Sequence, residues 1–137
     1  MKKIFLLCLM TLSLVSCSIE NDDSNDFYYE ILPIESVDIP EEFTLGETYE
    51  IHVSYYRPSG CHVFNDFYYV SELNQRTVAV INTVYPNQSC ETFENELVDV
   101  SFNFMVNSNG TYVFRFWQGE DENGNDTYYI VEVPVVE

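Results

Sequence analysis

Basic residues are scarce in this chain of 137 residues, and lysine is almost missing. Positive charge rests on Lys2, Lys3, Arg57, Arg76 and Arg115 alone, against 23 acidic residues and a formal charge of −18. Beyond position 3 there is no lysine, which removes Schiff-base chemistry, a lysine general base and a phosphate-cradling loop lysine. Histidine is nearly as rare. His52 and His62 are the two imidazoles, and neither has metal-ligand spacing to other donors. Gly-x-Ser-x-Gly, His-Glu-x-x-His, Gly-x-Gly-x-x-Gly and Cys-x-x-Cys do not occur. These absences argue against an enzyme, leaving carboxylates paired by folding as the remaining acid–base route. The apolar run Ile4–Val15 is too short to span a bilayer as a helix.

That run is nonetheless the clearest signal in the chain. Lys2 and Lys3 precede it, and Leu14-Val15-Ser16-Cys17 closes it, giving a basic, then apolar, then small-residue order. This is the form of a secretory leader, and its last four residues resemble the lipobox of bacterial lipoproteins. The resemblance implies that residues 1–16 are a signal peptide, that Cys17 is acylated, and that the bilayer holds the protein through it. Two or three acyl chains, at about 0.8 kcal/mol per buried methylene, make such an anchor essentially permanent. Residues 17–26 then read as a lipidated, acidic and disordered tether, reaching roughly 30 Å when extended. Acidic residues soon after the cysteine also resemble the surface-export signal of Bacteroidota lipoproteins, which implies an outer-membrane protein displayed at the cell surface. All 23 carboxylates follow Cys17, so without the leader three arginines face them and the formal charge is −20. Such a surface repels nucleic acid and anionic head groups.

With Cys8 in the leader and Cys17 assigned to lipid, Cys61 and Cys90 remain. An even pair in an oxidising compartment predicts one disulfide. It closes about 30 residues and contributes roughly 3–4 kcal/mol on the chain-entropy account.

Residues 27–137 lack helical periodicity and instead alternate Val, Ile, Tyr, Phe and Thr runs with turn residues. Seven strands are predicted, lettered A to G: Tyr29–Ile39, Thr48–Arg57, His62–Glu72, Arg76–Val84, Leu97–Val106, Thr111–Gln118 and Thr127–Val135. Asn107-Ser108-Asn109-Gly110 reads as a hairpin between E and F. Seven short strands point to an all-β sandwich, with a small up-and-down barrel as the alternative. Leu45-Gly46-Glu47-Thr48-Tyr49-Glu50-Ile51 and Asn109-Gly110-Thr111-Tyr112-Val113-Phe114 resemble strand entries of bacterial immunoglobulin-like domains. That resemblance implies a seven-stranded immunoglobulin-like sandwich in which Cys61 (B–C loop) and Cys90 (D–E loop) meet at one pole, beside the F–G loop and the start of strand A.

Two constellations are candidates for function. If Phe114 and Phe116 face the core, Arg115 and Trp117 face outward, and flanking strands C and G add Tyr68 or Tyr69, and Tyr128 with Ile130; Tyr68, Arg115, Trp117 and Tyr128 are the candidate binding face. Exposed aromatic rings beside an arginine suit stacking on sugars or anchoring a protein. In the F–G loop, Asp121, Asn123, Asn125 and Asp126 are hard oxygen donors of the kind calcium takes, with Gly124 allowing a sharp turn. The expectation is a non-catalytic binding or adhesion lipoprotein for a glycan or envelope protein. The alternatives are a small carboxylate-based hydrolase, an inhibitor of one, or an accessory subunit of an envelope complex.

Overall fold

The computed structural model describes residues 26–137. The leader and residues 17–25 of the expected tether lie outside the described residues. Ten strands make up the described part: β1 (Tyr28–Leu32), β2 (Ser36–Asp38), β3 (Phe43–Thr44), β4 (Thr48–Tyr56), β5 (His62–Glu72), β6 (Gln75–Val84), β7 (Leu97–Met105), β8 (Tyr112–Glu120), β9 (Asp126–Val133) and β10 (Val135–Val136). No described residue is helical. The protein is an all-β sandwich, and its separate sheets exclude the barrel alternative.

One sheet runs β5-β6-β8-β9, with β1 paired to the C-terminal half of β6. The other is β2-β4-β7, and a short parallel pair of β3 and β10 stands beside them. Alternation decides what lies between the sheets. Ile51, Val53, Tyr55 and Phe104 from one sheet meet Leu32, Val78, Val80, Tyr112, Phe114, Phe116 and Val133 from the other, with Phe43 closing the gap.

Strand A is interrupted rather than continuous, because Pro33 has no N–H to offer a ladder. After it the chain crosses between sheets, Ile34 N–H donating to Trp117 O (2.9 Å) and Glu35 N–H to Ser54 O (2.8 Å). The expected hairpin at Asn107–Gly110 is also corrected. β7 pairs with β4, and β8 with β6 and β9, so this turn joins two sheets. Its latch is the buried Tyr112, whose hydroxyl accepts from Asn107 N (3.2 Å) and Ser108 N (3.0 Å) and donates to Asn107 Oδ1 (3.0 Å). This is a tyrosine corner, a device that fixes the corresponding arch of β-sandwiches.

The pairings β4–β7 and β8–β9 are those of B with E and F with G in an immunoglobulin-like sandwich. One neighbour differs. β6, not β5, lies beside β8 and runs parallel to it, with β7 in the opposite sheet as the crossover. The sequence of β6 suits an interior place, with Arg76, Val78, Ala79, Val80, Asn82 and Val84 all buried. β5 suits an edge. It has a bulge between Phe64 and Asp66, and Asp66 Oδ1 takes the Phe67 N–H at 2.8 Å.

Candidate functional site

The displacement of β5 by β6 leaves a concave feature on the outer face of the larger sheet. Across the outer face of the larger sheet, Tyr68 pairs with Ala79, Thr77 with Arg115, and Trp117 with Tyr128. The two small residues on β6 form a floor between a wall from β5 and a wall from β8 and β9. The resulting groove encloses about 470 Å³ and is lined by Ile31, Tyr68, Thr77, Ala79, Trp117, Glu120, Asp126 and Tyr128. Tyr68, Trp117 and Tyr128 therefore share one site, although strand C does not flank strand F as expected. The gap left by Thr77 and Ala79 was not legible without the strand order.

The fixed parts of the groove have identifiable causes. Phe114 and Phe116 are fully buried, which turns Arg115 and Trp117 outward. The Trp117 indole N–H donates to Asp126 Oδ1 at 2.8 Å, holding the ring in place. Arg115 does not line the groove; its guanidinium carbon sits 3.9 Å from the Tyr128 ring centre and supports that ring from the side. Gly119 has φ of 97° where the β8–β9 register shifts, a conformation that a side chain would strain. Beyond the shift, Glu120 is paired opposite Asp126, so two carboxylates stand at one end of the groove.

The loop expected to offer calcium ligands is a hydrogen-bonded turn. Asp121 Oδ1 accepts from Asn123 N (2.8 Å) and Asn125 N (3.0 Å). These amide bonds, that from Asn125 first, hold its carboxyl below the usual carboxylate range. Asp126 is engaged with Trp117 on the groove side. Asp121 and Asn125 are thus tied together within the turn, and Asp126 is held by Trp117. Among the described residues no three His, Cys, Asp or Glu gather as a metal site.

Cys61 and Cys90 form the expected disulfide, with Cα atoms 5.5 Å apart. Beside it lies a constellation that sequence reasoning missed. Ser59 Oγ is 2.8 Å from His62 Nδ1, and His62 Nε2 is 2.7 Å from Glu30 Oε2. A hydroxyl, an imidazole and a carboxylate in series resemble a nucleophilic relay, but the surroundings give it another role. Ser59 Oγ accepts from Cys61 N (3.2 Å), and Gly60 N–H is committed to Glu91 O (2.9 Å). Those amides are not free to hold an oxyanion, and none of the three residues lines the groove. The relay clamps the Cys61 loop to β1. The Ser-x-x-His spacing was its one sequence signal; Glu30 arrives only through strand pairing.

A second, more open hollow of about 530 Å³ lies between the edges of β5 and β7 and includes Phe67, Tyr69, Arg76, Phe102 and Met105. Arg76 is buried there for structural reasons. Its Nη1 donates to Leu73 O (2.7 Å) and Gln75 O (2.8 Å), and its guanidinium lies over Tyr112 at 5.1 Å.

Comparison with protein-family models, with curated proteins and with solved structures finds no match to this chain. The groove's chemistry is therefore the guide to function.

Proposed function

We propose that this chain is a membrane-anchored surface lipoprotein whose groove is a non-catalytic binding site for a neutral glycan. The observation that carries the reading is the groove's composition: aromatic walls at Tyr68, Trp117 and Tyr128, a small-residue floor, and carboxylate acceptors at one end. Sugar rings present apolar C–H faces to aromatic rings and hydroxyl donors to carboxylates, so both parts of the site have a use. Glu120 and Asp126 disfavour uronic-acid or sulfated chains, as does the surrounding excess of carboxylates. On the opposite face of the sandwich Glu50, His52, Asp99 and Ser101 engage one another.

The same carboxylates raise a hydrolase as the second reading. A general acid needs a carboxyl kept protonated by an apolar setting. Glu120 and Asp126 are both exposed, and Asp126 accepts from an indole. Binding is the better use of this geometry.

The test is an oligosaccharide array probed with the detergent-solubilised full-length protein, followed by affinity measurement on the strongest neutral ligand. Trp117→Ala is expected to weaken binding by about 2 kcal/mol, roughly thirtyfold. Wild-type affinity in a folded Trp117→Ala protein would remove the groove from consideration. Capture of an envelope protein in place of any glycan would redirect the proposal to a protein partner. Cleavage of the bound oligosaccharide, lost in Glu120→Gln, would replace it with the hydrolase.

A further inference from the structure

The end of the sandwich where the chain enters carries an aromatic cluster outside the groove. Phe27 packs edge-on against Tyr29 at 5.7 Å between ring centres and lies 6.2 Å from Tyr85. All three rings remain open to solvent, Tyr29 at 62%. The strand registers extend the patch: Tyr29 pairs with Thr83 and Thr83 with Val63, placing exposed Val63 in the same row. Glu30, the acidic residue next in sequence, points to the other face and is held there by His62 Nε2 at 2.7 Å. The patch is also firmly backed. Tyr85 N–H donates to Cys61 O (3.1 Å), and Cys61 is bonded to Cys90.

We infer that this cluster is a membrane-interface contact, with Phe27, Tyr29 and Tyr85 resting in the head-group region of the bilayer that holds the anchor. The inference depends on the lipid anchor proposed at Cys17. Residues 18–26 separate that cysteine from Phe27, a reach of roughly 30 Å when fully extended. A tether this short keeps the cluster at an effective concentration on the order of millimolar or higher, so weak docking suffices. Phenolic rings are suited to the place, with an apolar body toward the acyl chains and a hydroxyl toward water. The large negative charge makes a zwitterionic surface the fitting one, since no basic residue is present in the patch to seek anionic lipid. Docking would turn this end toward the membrane and the β5–β6 turn, where Leu73 is 97% exposed, away from it. The groove between them would then open sideways along the surface.

The experiment uses the full-length lipidated protein in phosphatidylcholine vesicles containing shallow nitroxide-labelled lipid. In a Trp117→Phe background, Tyr29→Trp places a fluorescent indole in the patch, and Leu73→Trp places one at the far end. Flotation with the vesicles, strong quenching at position 29 and little at position 73 is the expected result. Adding Phe27→Ser and Tyr85→Ser to the Tyr29→Trp protein should reduce that quenching while flotation persists. Protein that floats but is quenched equally at both positions, or at neither, overturns the docking and leaves the anchor standing. Protein that fails to float overturns the anchor and the docking together.

Discussion

His52 illustrates how much a single residue's surroundings set its behaviour. The hydrogen bond between its Nδ1 and Asp99 Oδ1, at 2.9 Å, is the main reason its pKa rises above the ordinary 6.5. Partial burial opposes that rise, while the charges of Asp99, Glu50 and Asp38 add to it. The stabilisation is fully present below the unfolded value of 6.5 and is lost as pH rises through the folded value. An imidazole NMR titration should therefore place His52 above 6.5, and Asp99→Asn should bring it down. His52→Gln should destabilise more at pH 5 than at pH 8, by a small amount because the pair is exposed. A midpoint at or below 6.5 would show that the Asp99 bond does not persist in solution. At this scale the sequence was informative about facing and silent about partners. Alternation placed Phe114 and Phe116 inside and Arg115 and Trp117 outside, yet nothing in it linked Trp117 to Asp126 or His52 to Asp99. The tyrosine pairs show the same division. Tyr55 is buried and Tyr56 exposed, as alternation requires, whereas Tyr68 and Tyr69 are both substantially exposed because β5 is an edge strand with little covering either side.

Elements were readable wherever one segment's own pattern decided its state. The bounds of β5 match the expected strand from His62 to Glu72, and Pro33 explains why the first expected strand is two. Neighbours were harder, since strand order depends on which segments bury both faces. β6 does so, and β5 with its bulge does not. The Asn-Ser-Asn-Gly turn was misread for a related reason: its composition suits a tight reversal, but β7 and β8 bury their apolar residues from opposite sheets. Tyr112 makes the resulting arch stable. Tyr112→Phe keeps the ring in the core and removes one acceptor and donor, stranding the amides of Asn107 and Ser108. The expected cost is about 1–3 kcal/mol. That is large enough to lower the thermal midpoint by several degrees, at roughly 4–8 °C per kcal/mol for a domain near 100 residues. A chemical-denaturation midpoint indistinguishable from wild type would show that the corner hydroxyl contributes nothing to the fold.

The whole molecule is lopsided in a way neither residues nor strands reveal alone. One outer face carries aromatic rings and a groove, the other hydrogen-bonded polar and charged groups, and the disulfide end carries the entering chain. β8 runs parallel to β6, so the β8–β9 turn projects toward the same end as Cys61 and Cys90. That juxtaposition was expected from the immunoglobulin-like lettering and survives the exchange of β5 and β6, because both hairpin strands keep their direction. The proposed anchor would give these asymmetries a consequence. A freely diffusing domain would present every face to every partner, whereas one held at its disulfide end would offer its groove at a fixed height above the bilayer. Cys17→Ala should abolish labelling by a palmitate analogue and move the protein from the membrane to the soluble fraction. The Cys61–Cys90 bond and the thermal midpoint of the domain should be unchanged, since residues 27–137 supply the sandwich's strands and core. A purified Cys17→Ala protein should also bind the groove's glycan in solution as tightly as wild type in detergent. Retention in membranes with undiminished acyl label would refute the anchor, and loss of glycan affinity in the released, folded protein would show that the groove and the tether are not independent parts.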